Sequence, residues 1–171
     1  MITVLARERD LPAIAELDCH ISPHRLAACI REGTVYVLRE TAEDDTVMGV
    51  LRFSLFWQSI PFLDLIFLRP SCRRRGFGQE MMRVWEREML AQGCTDVMTS
   101  TQADEDAWRF YEKLGYRRAG GFFPPGQTAE EWIYRKKITL DGRESHDDCG
   151  RGENAYDGGT HESVSEKPAQ N

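Results

Sequence analysis

Apolar and polar positions along this chain switch repeatedly between a period of two and a period near 3.6, which predicts strands alternating with helices. Ile2–Ala6 reads as a short strand. Asp10, with Pro12 just beyond it, is placed to cap a first helix. A second helix starts at Ser22-Pro23 and ends at Gly33. Thr34–Thr41 and Thr46–Phe56 are β-rich runs, and Ala-Glu-Asp-Asp between them reads as a hairpin turn. Phe62–Leu68 is apolar except at Asp64, the pattern of a strand covered on both faces.

From Gly78 the period lengthens again. Met81, Trp85 and Met89 fall at i, i+4 and i+8 with Met82 beside them, so one face of a helix is apolar, and it stops near Gly93. Thr95–Thr101 predicts a strand, Asp104–Leu114 a helix ended by Gly115, and Tyr116–Phe123 and Glu131–Ile138 two final strands. The order β-α-α-β-β-β-α-β-α-β-β, without internal repeats, points to a mixed α/β sheet.

The pattern ends near Leu140. Asp141–Asn171 holds only Cys149, Ala155, Tyr156, Val164 and Ala169 from the apolar set, against eight acids and three bases. So polar a segment cannot bury enough surface to offset its ordering entropy, and a disordered acidic tail is expected. It carries −5 of the formal charge of −6, which leaves the expected domain, residues 1–140, at −1. A near-neutral domain lacks the broad basic face that nucleic-acid binding needs, so no nucleic-acid partner is expected.

Five scattered cysteines, Cys19, Cys29, Cys72, Cys94 and Cys149, form no C-x-x-C pair, and neither a metal site nor a disulfide framework is suggested. The N-terminus carries charges where a signal peptide needs its apolar core. No run approaches the roughly 20 apolar residues of a membrane helix. A cytoplasmic protein with no membrane partner is the expectation.

The candidate chemistry lies in RPSCRRRGFGQEMMRVWEREM, Arg69 to Met89. The first turn of a helix presents unpaired N–H groups and a partial positive charge, so it attracts anions. Gly76 and Gly78 let a phosphate group approach the backbone. A P-loop is excluded because its G-K-[ST] ending is absent, and the Rossmann fingerprint is poor, with Met81 at the third glycine. Alone, these residues also fit a charged turn before a core helix.

A second segment, DEDAWRFYEKLGYRRAG from Asp104 to Gly120, follows one strand and one helix later. Together the two resemble the GCN5-related N-acetyltransferase (GNAT) superfamily. Motif A is matched over Leu65–Gly93, with R-x-x-G-x-G at Arg73, Arg74, Arg75, Gly76, Phe77 and Gly78. Motif B is matched over Ala107–Tyr116 at Ala107, Phe110, Tyr111, Gly115 and Tyr116. The resemblance implies a mostly antiparallel central sheet flanked by helices, with splayed strands forming an acetyl-CoA cleft, from residue 1 to about 138.

It also implies an enzyme using acetyl-CoA as co-substrate and an amine acceptor, with a homodimer left open. The loop Arg73–Gly78 with Gln79 would hold the pyrophosphate, and Phe67, Leu68 and Arg69 would meet the pantetheine arm. Tyr111 matches the usual acid, or is a core aromatic beside Phe110. For the base, relatives offer a carboxylate on the strand before the loop, where Asp64 stands. Asp64 alternatively faces solvent or pairs with Arg52, and water could carry the proton instead. Others use a glutamate on the next strand, where Thr99 cannot serve.

At the position of a frequent family asparagine that contacts the pantetheine region, this chain has Asp104, which can cap the helix but lacks the amide donor. Acceptor recognition would fall on His20–Leu26, Trp57-Gln58 and Gly120–Gly126, with His20 and His24 bordering the site or simply solvated. Two function classes stand: an N-acetyltransferase for a primary amine of a small molecule or peptide, and a non-catalytic acyl-CoA-binding regulatory module.

Overall fold

The computed structural model describes residues 1–139; the expected tail Asp141–Asn171 lies outside the described residues. Strands β1 (Ile2–Leu5), β2 (Val35–Arg39), β3 (Gly49–Phe56), β4 (Ile60–Leu68), β5 (Asp96–Gln102), β6 (Arg117–Phe122) and β7 (Glu131–Lys137) form one sheet in the order β1-β2-β3-β4-β5-β7-β6. Helices α1 (Leu11–Ala15) and α2 (Pro23–Arg31) fall between β1 and β2, α3 (Phe77–Ala91) between β4 and β5, and α4 (Ala107–Lys113) between β5 and β6. All neighbours pair antiparallel except β4 and β5, which run parallel. The element order is the one the periodicity predicts.

The sheet separates two apolar cores. On one face Leu51, Phe53 and Leu63 pack against Met81, Met82, Trp85 and Met89 of α3 and Tyr111 of α4. On the other, Val35, Val37 and Val50 meet Ile14 of α1 and Leu26, Cys29 and Ile30 of α2. The stripe at i, i+4, i+8 on α3 is thus fully used: Met81, Trp85 and Met89 are at most 1% exposed.

Three local expectations are corrected. Asp10 makes no side-chain cap on α1; its Oδ2 accepts from the Arg7 backbone N–H and from Nη2 of Arg39 at 2.6 Å, a buried pair across the sheet edge. The helix expected from Asp104 starts at Ala107, because Asp104–Asp106 form an exposed turn with Asp106 at the N-cap. Most consequentially, β4 is not covered on both faces: of Ile60–Leu68 only Pro61 and Leu63 are buried. Its second half has lost a neighbour.

Candidate active site

β4 and β5 pair at only two positions, Phe62 with Met98 and Leu63 with Thr99. Beyond Leu63 the strands diverge, and β4 continues to Leu68 hydrogen-bonded to β3 alone. A bulge coincides with the divergence. Arg52 pairs with Leu65 and Phe53 with Leu63, so Asp64 is the extra residue on β4. The opened side of β4 forms one wall of a cleft of about 270 Å³ lined by Ile66, Phe67, Leu68, Arg73, Gly78, Ala107, Phe110 and Tyr111.

The cleft ends at the start of α3. Gly76 is the N-cap, with φ 84°, and no side chain caps it. The first intrahelical bond runs from Glu80 N–H to the Gly76 carbonyl at 3.0 Å. The amides of Phe77, Gly78 and Gln79 therefore open the helix without intrahelical partners, the condition for holding an anion. Arg74 also takes a left-handed backbone, φ 58°, so two such residues turn the chain into the helix.

The arginines divide. Arg73 folds along β4: its Nε donates to the Leu68 carbonyl at 2.9 Å, and its guanidinium lies 4.9 Å from the Phe67 ring centre. Arg75 lies 5.1 Å from the ring of Phe77. Arg69 turns elsewhere, donating to the Val47 carbonyl at 2.8 Å and pairing with Glu16 at 3.3 Å, and it is not among the cleft-lining residues. Asp104 is exposed in the turn before α4 and does not line the cleft either.

Tyr111 is buried on the face of the sheet that carries α3, and it lines the cleft. Its ring sits 5.4 Å from Phe110, 5.8 Å from Tyr116 and 6.3 Å from Tyr134. Burial pushes its phenol above the ordinary value; a hydrogen bond with Thr99 works the other way. The hydroxyl of Thr99 in turn donates to the Leu63 carbonyl at 3.1 Å, at the last paired position before the split. A phenol held in this state keeps its proton at neutral pH and can give it to a stronger base.

Asp64 faces the other side of the sheet. Its Oδ2 accepts from Arg52 Nη1 at 2.9 Å and its Oδ1 from Ser54 Oγ at 2.9 Å. Arg52 also holds Asp18, through Nε at 2.8 Å. Of the alternatives open for Asp64, the pairing with Arg52 is the observed geometry. Its side chain is 24% exposed, although the residue as a whole is exposed, because the backbone at the bulge is open. Burial is the largest influence on its carboxyl and raises it above the ordinary carboxylate range; Ser54 and Arg52 pull it down, and Asp18 pushes it up.

A sequence model of the Acetyltransferase (GNAT) family matches residues 6–116, more than half of the chain and the whole span from α1 to the end of α4. The chain belongs to the GNAT acetyltransferase family. Among solved structures, a GNAT-family acetyltransferase from Bacillus cereus ATCC 10987 is similar, with 23% identity and a TM-score of 0.65, covering 81% of this chain and 97% of that one. A ribosomal-protein-alanine N-acetyltransferase from Brucella melitensis has 15% identity and a TM-score of 0.67, covering 81% and 100%. The protein yncA from Salmonella typhimurium, solved with its cofactor acetyl-CoA, has 15% identity and a TM-score of 0.66, covering 87% and 98%. These likenesses concern the fold. No curated protein matches the chain.

Within this GNAT domain, the two motifs meet across the cleft: Arg73 and Gly78 of the first face Ala107, Phe110 and Tyr111 of the second. Gly120–Gly126 leads into the β6–β7 connection, which is tied to the end of β5 by Ala103 N–H to Glu130 O at 2.8 Å and by Gln102 to Gln127 at 2.8 Å. That is the end at which the cleft opens. Trp57-Gln58 forms the β3–β4 turn, at the opposite end of β4. His20 and His24 are both exposed. Among the described residues no cluster of three potential metal ligands exists, and no helix is long and apolar enough to cross a membrane.

Sequence reasoning passed over several residues. Ile66, Ala107 and Phe110 line the cleft, and all three stood inside a matched motif. Asp18 is almost fully buried, and the only local signal is a carboxylate following the apolar face of α1. A guanidinium amid the buried positions of β3 does announce a counter-ion, but not which one.

Proposed function

We propose that this GNAT enzyme transfers an acetyl group from acetyl-CoA to a primary amine of a small molecule or peptide. The observation that carries the reading is the placement of Tyr111 in the cleft and Asp64 at the bulge where β4 and β5 part. Acetyl-CoA supplies the activated acyl group, a thioester whose thiolate leaves. The uncapped amides of Phe77, Gly78 and Gln79, with Arg73–Arg75 around Gly76, suit the pyrophosphate, and the edge of β4 that has no strand neighbour at Phe67 and Leu68 suits an amide-bearing chain alongside it.

Tyr111 then protonates the leaving thiolate, a role suited to a buried phenol that holds its proton. Asp64, raised by burial, accepts the proton that the amine must lose. The ties of Asp64 to Arg52 and Ser54 join Asp104 and the absent glutamate at Thr99 in favouring the second reading, a non-catalytic acyl-CoA-binding module. Thiol release measured over a panel of primary amines decides. Acetyl-CoA consumption that depends on the amine supports transfer; tight acetyl-CoA binding with no amine-dependent release refutes it.

A further inference from the structure

The second face of the sheet carries a partly buried ionic cluster for which neither motif accounts. One guanidinium spans two carboxylates: Arg52 Nε meets Asp18 at 2.8 Å, and Nη1 meets Asp64 at 2.9 Å. Asp18 lies in the segment joining α1 to α2, its side chain 0% exposed, and its second oxygen accepts from the His20 backbone N–H at 3.2 Å. Arg52 is on β3, its side chain 11% exposed. Three segments distant in sequence are thereby joined through a single planar fork, which a lysine could not reproduce.

Burying ions is costly, and a simple anchor for the α1–α2 segment would need only the neutral Asp18–Arg52 pair. Extending the cluster to Asp64 adds a third ion and a formal charge of −1 at the point where β4 bulges away from β5. We propose that Asp18 and Arg52 are positioning residues for Asp64: they aim its carboxylate at the bulge, set its proton uptake, and link both to the seating of the α1–α2 segment. This rests on the reading of Asp64 as the proton acceptor for an amine.

The ionisable groups acting on Asp64 are Arg52 from β3 and Asp18 from the α1–α2 segment, with the Ser54 hydroxyl as a neutral donor. His20 reaches the cluster through its backbone only, its side chain being exposed. Arg52 favours the ionised carboxylate and Asp18 the protonated one. Removing each must therefore move Asp64 in opposite directions, which no loss of packing would do.

The test combines NMR titration of carboxyl-labelled aspartate in the intact protein, which needs no acceptor, with the pH profile of kcat/KM on an active amine. Asp64→Asn assigns the signal. Asp18→Asn is expected to shift Asp64 protonation to lower pH and Arg52→Gln to higher pH, with the acid limb of kcat/KM moving likewise. If Arg52→Gln does not fold, Arg52→Lys is expected to shift protonation upward, since one ammonium cannot span both partners. An unmoved Asp64, or displacement in the same direction in both variants, overturns the proposal, whatever the melting temperatures do. Opposite shifts of Asp64 with an unmoved acid limb uphold the positioning pair and remove Asp64 as the base.

Discussion

Replacing Tyr111 by phenylalanine separates the chemistry of this side chain from its packing. The ring would keep its contacts with Phe110, Tyr116 and Tyr134, and only the hydroxyl and its bond with Thr99 would go. A net hydrogen bond is worth about 0.5–1.5 kcal/mol. The structure argues for the lower part of that range, because Thr99 retains its bond to the Leu63 carbonyl and is not orphaned. As a positioned acid, the same hydroxyl contributes about 10²–10⁴-fold in rate, or about 2.7–5.4 kcal/mol at 1.36 kcal/mol per decade. The catalytic effect thus exceeds the structural one by several-fold, so the two are separable. Thiol release on a good amine acceptor should fall by that factor, while acetyl-CoA affinity from calorimetry stays nearly constant and the melting temperature drops by only a few degrees. Equal turnover of the two proteins would refute the assignment of Tyr111 as the acid.

Other expectations follow from the same geometry. Asp64→Asn should abolish the acid limb of the rate profile; because the Asp64 carboxyl is raised, that limb in the native enzyme lies above the ordinary carboxylate range, and activity is lost as pH falls through it. Saturation with acetyl-CoA should raise stability by about 2.7 kcal/mol at 100 times Kd, read as a thermal shift. Gly76→Asp should erase that shift, whereas Gly76→Asn, which shares the strain at φ 84° without the charge, should reduce it less; equal losses would argue against an anion at this turn. At alkaline pH the phenols of Tyr36, Tyr111, Tyr116 and Tyr134 all hold their protons more tightly in the fold than in the unfolded chain. Their contribution is intact below about pH 10 and is lost as pH rises beyond it, so circular dichroism should report unfolding in step with phenolate absorbance.

What was legible in the residues was what neighbours in sequence decide. The helix start at Ser22-Pro23, where the Ser22 hydroxyl accepts from the Arg25 N–H, the Met81-Trp85-Met89 stripe and the stop at Gly93 all depend on contacts within a turn or two. Both motifs of the cleft were legible for the same reason. The tertiary pairings were not. Asp10 looks like a helix cap until Arg39, on a strand beyond two helices, claims its carboxylate. The apolar run around Asp64 reads as a doubly covered strand, and nothing local says that β5 departs after two pairs or that Asp64 becomes the bulge. Asp18 and Arg52 are ordinary charged residues in isolation, and only the assembled sheet brings them together.

The sheet with its two separate cores has an implication for how such a protein can diversify. Tyr111 and the turn at Gly76 draw their support from the α3 side, while Asp64, Asp18 and the α1–α2 segment draw theirs from the opposite side. Substitutions more than about 7–10 Å apart with no shared partners are close to additive in free energy. Changes confined to one half that share no partner with the other should therefore combine nearly additively. If the proposed function holds, a lineage could exchange its acceptor amine by rebuilding the α1–α2 side while keeping the α3 side.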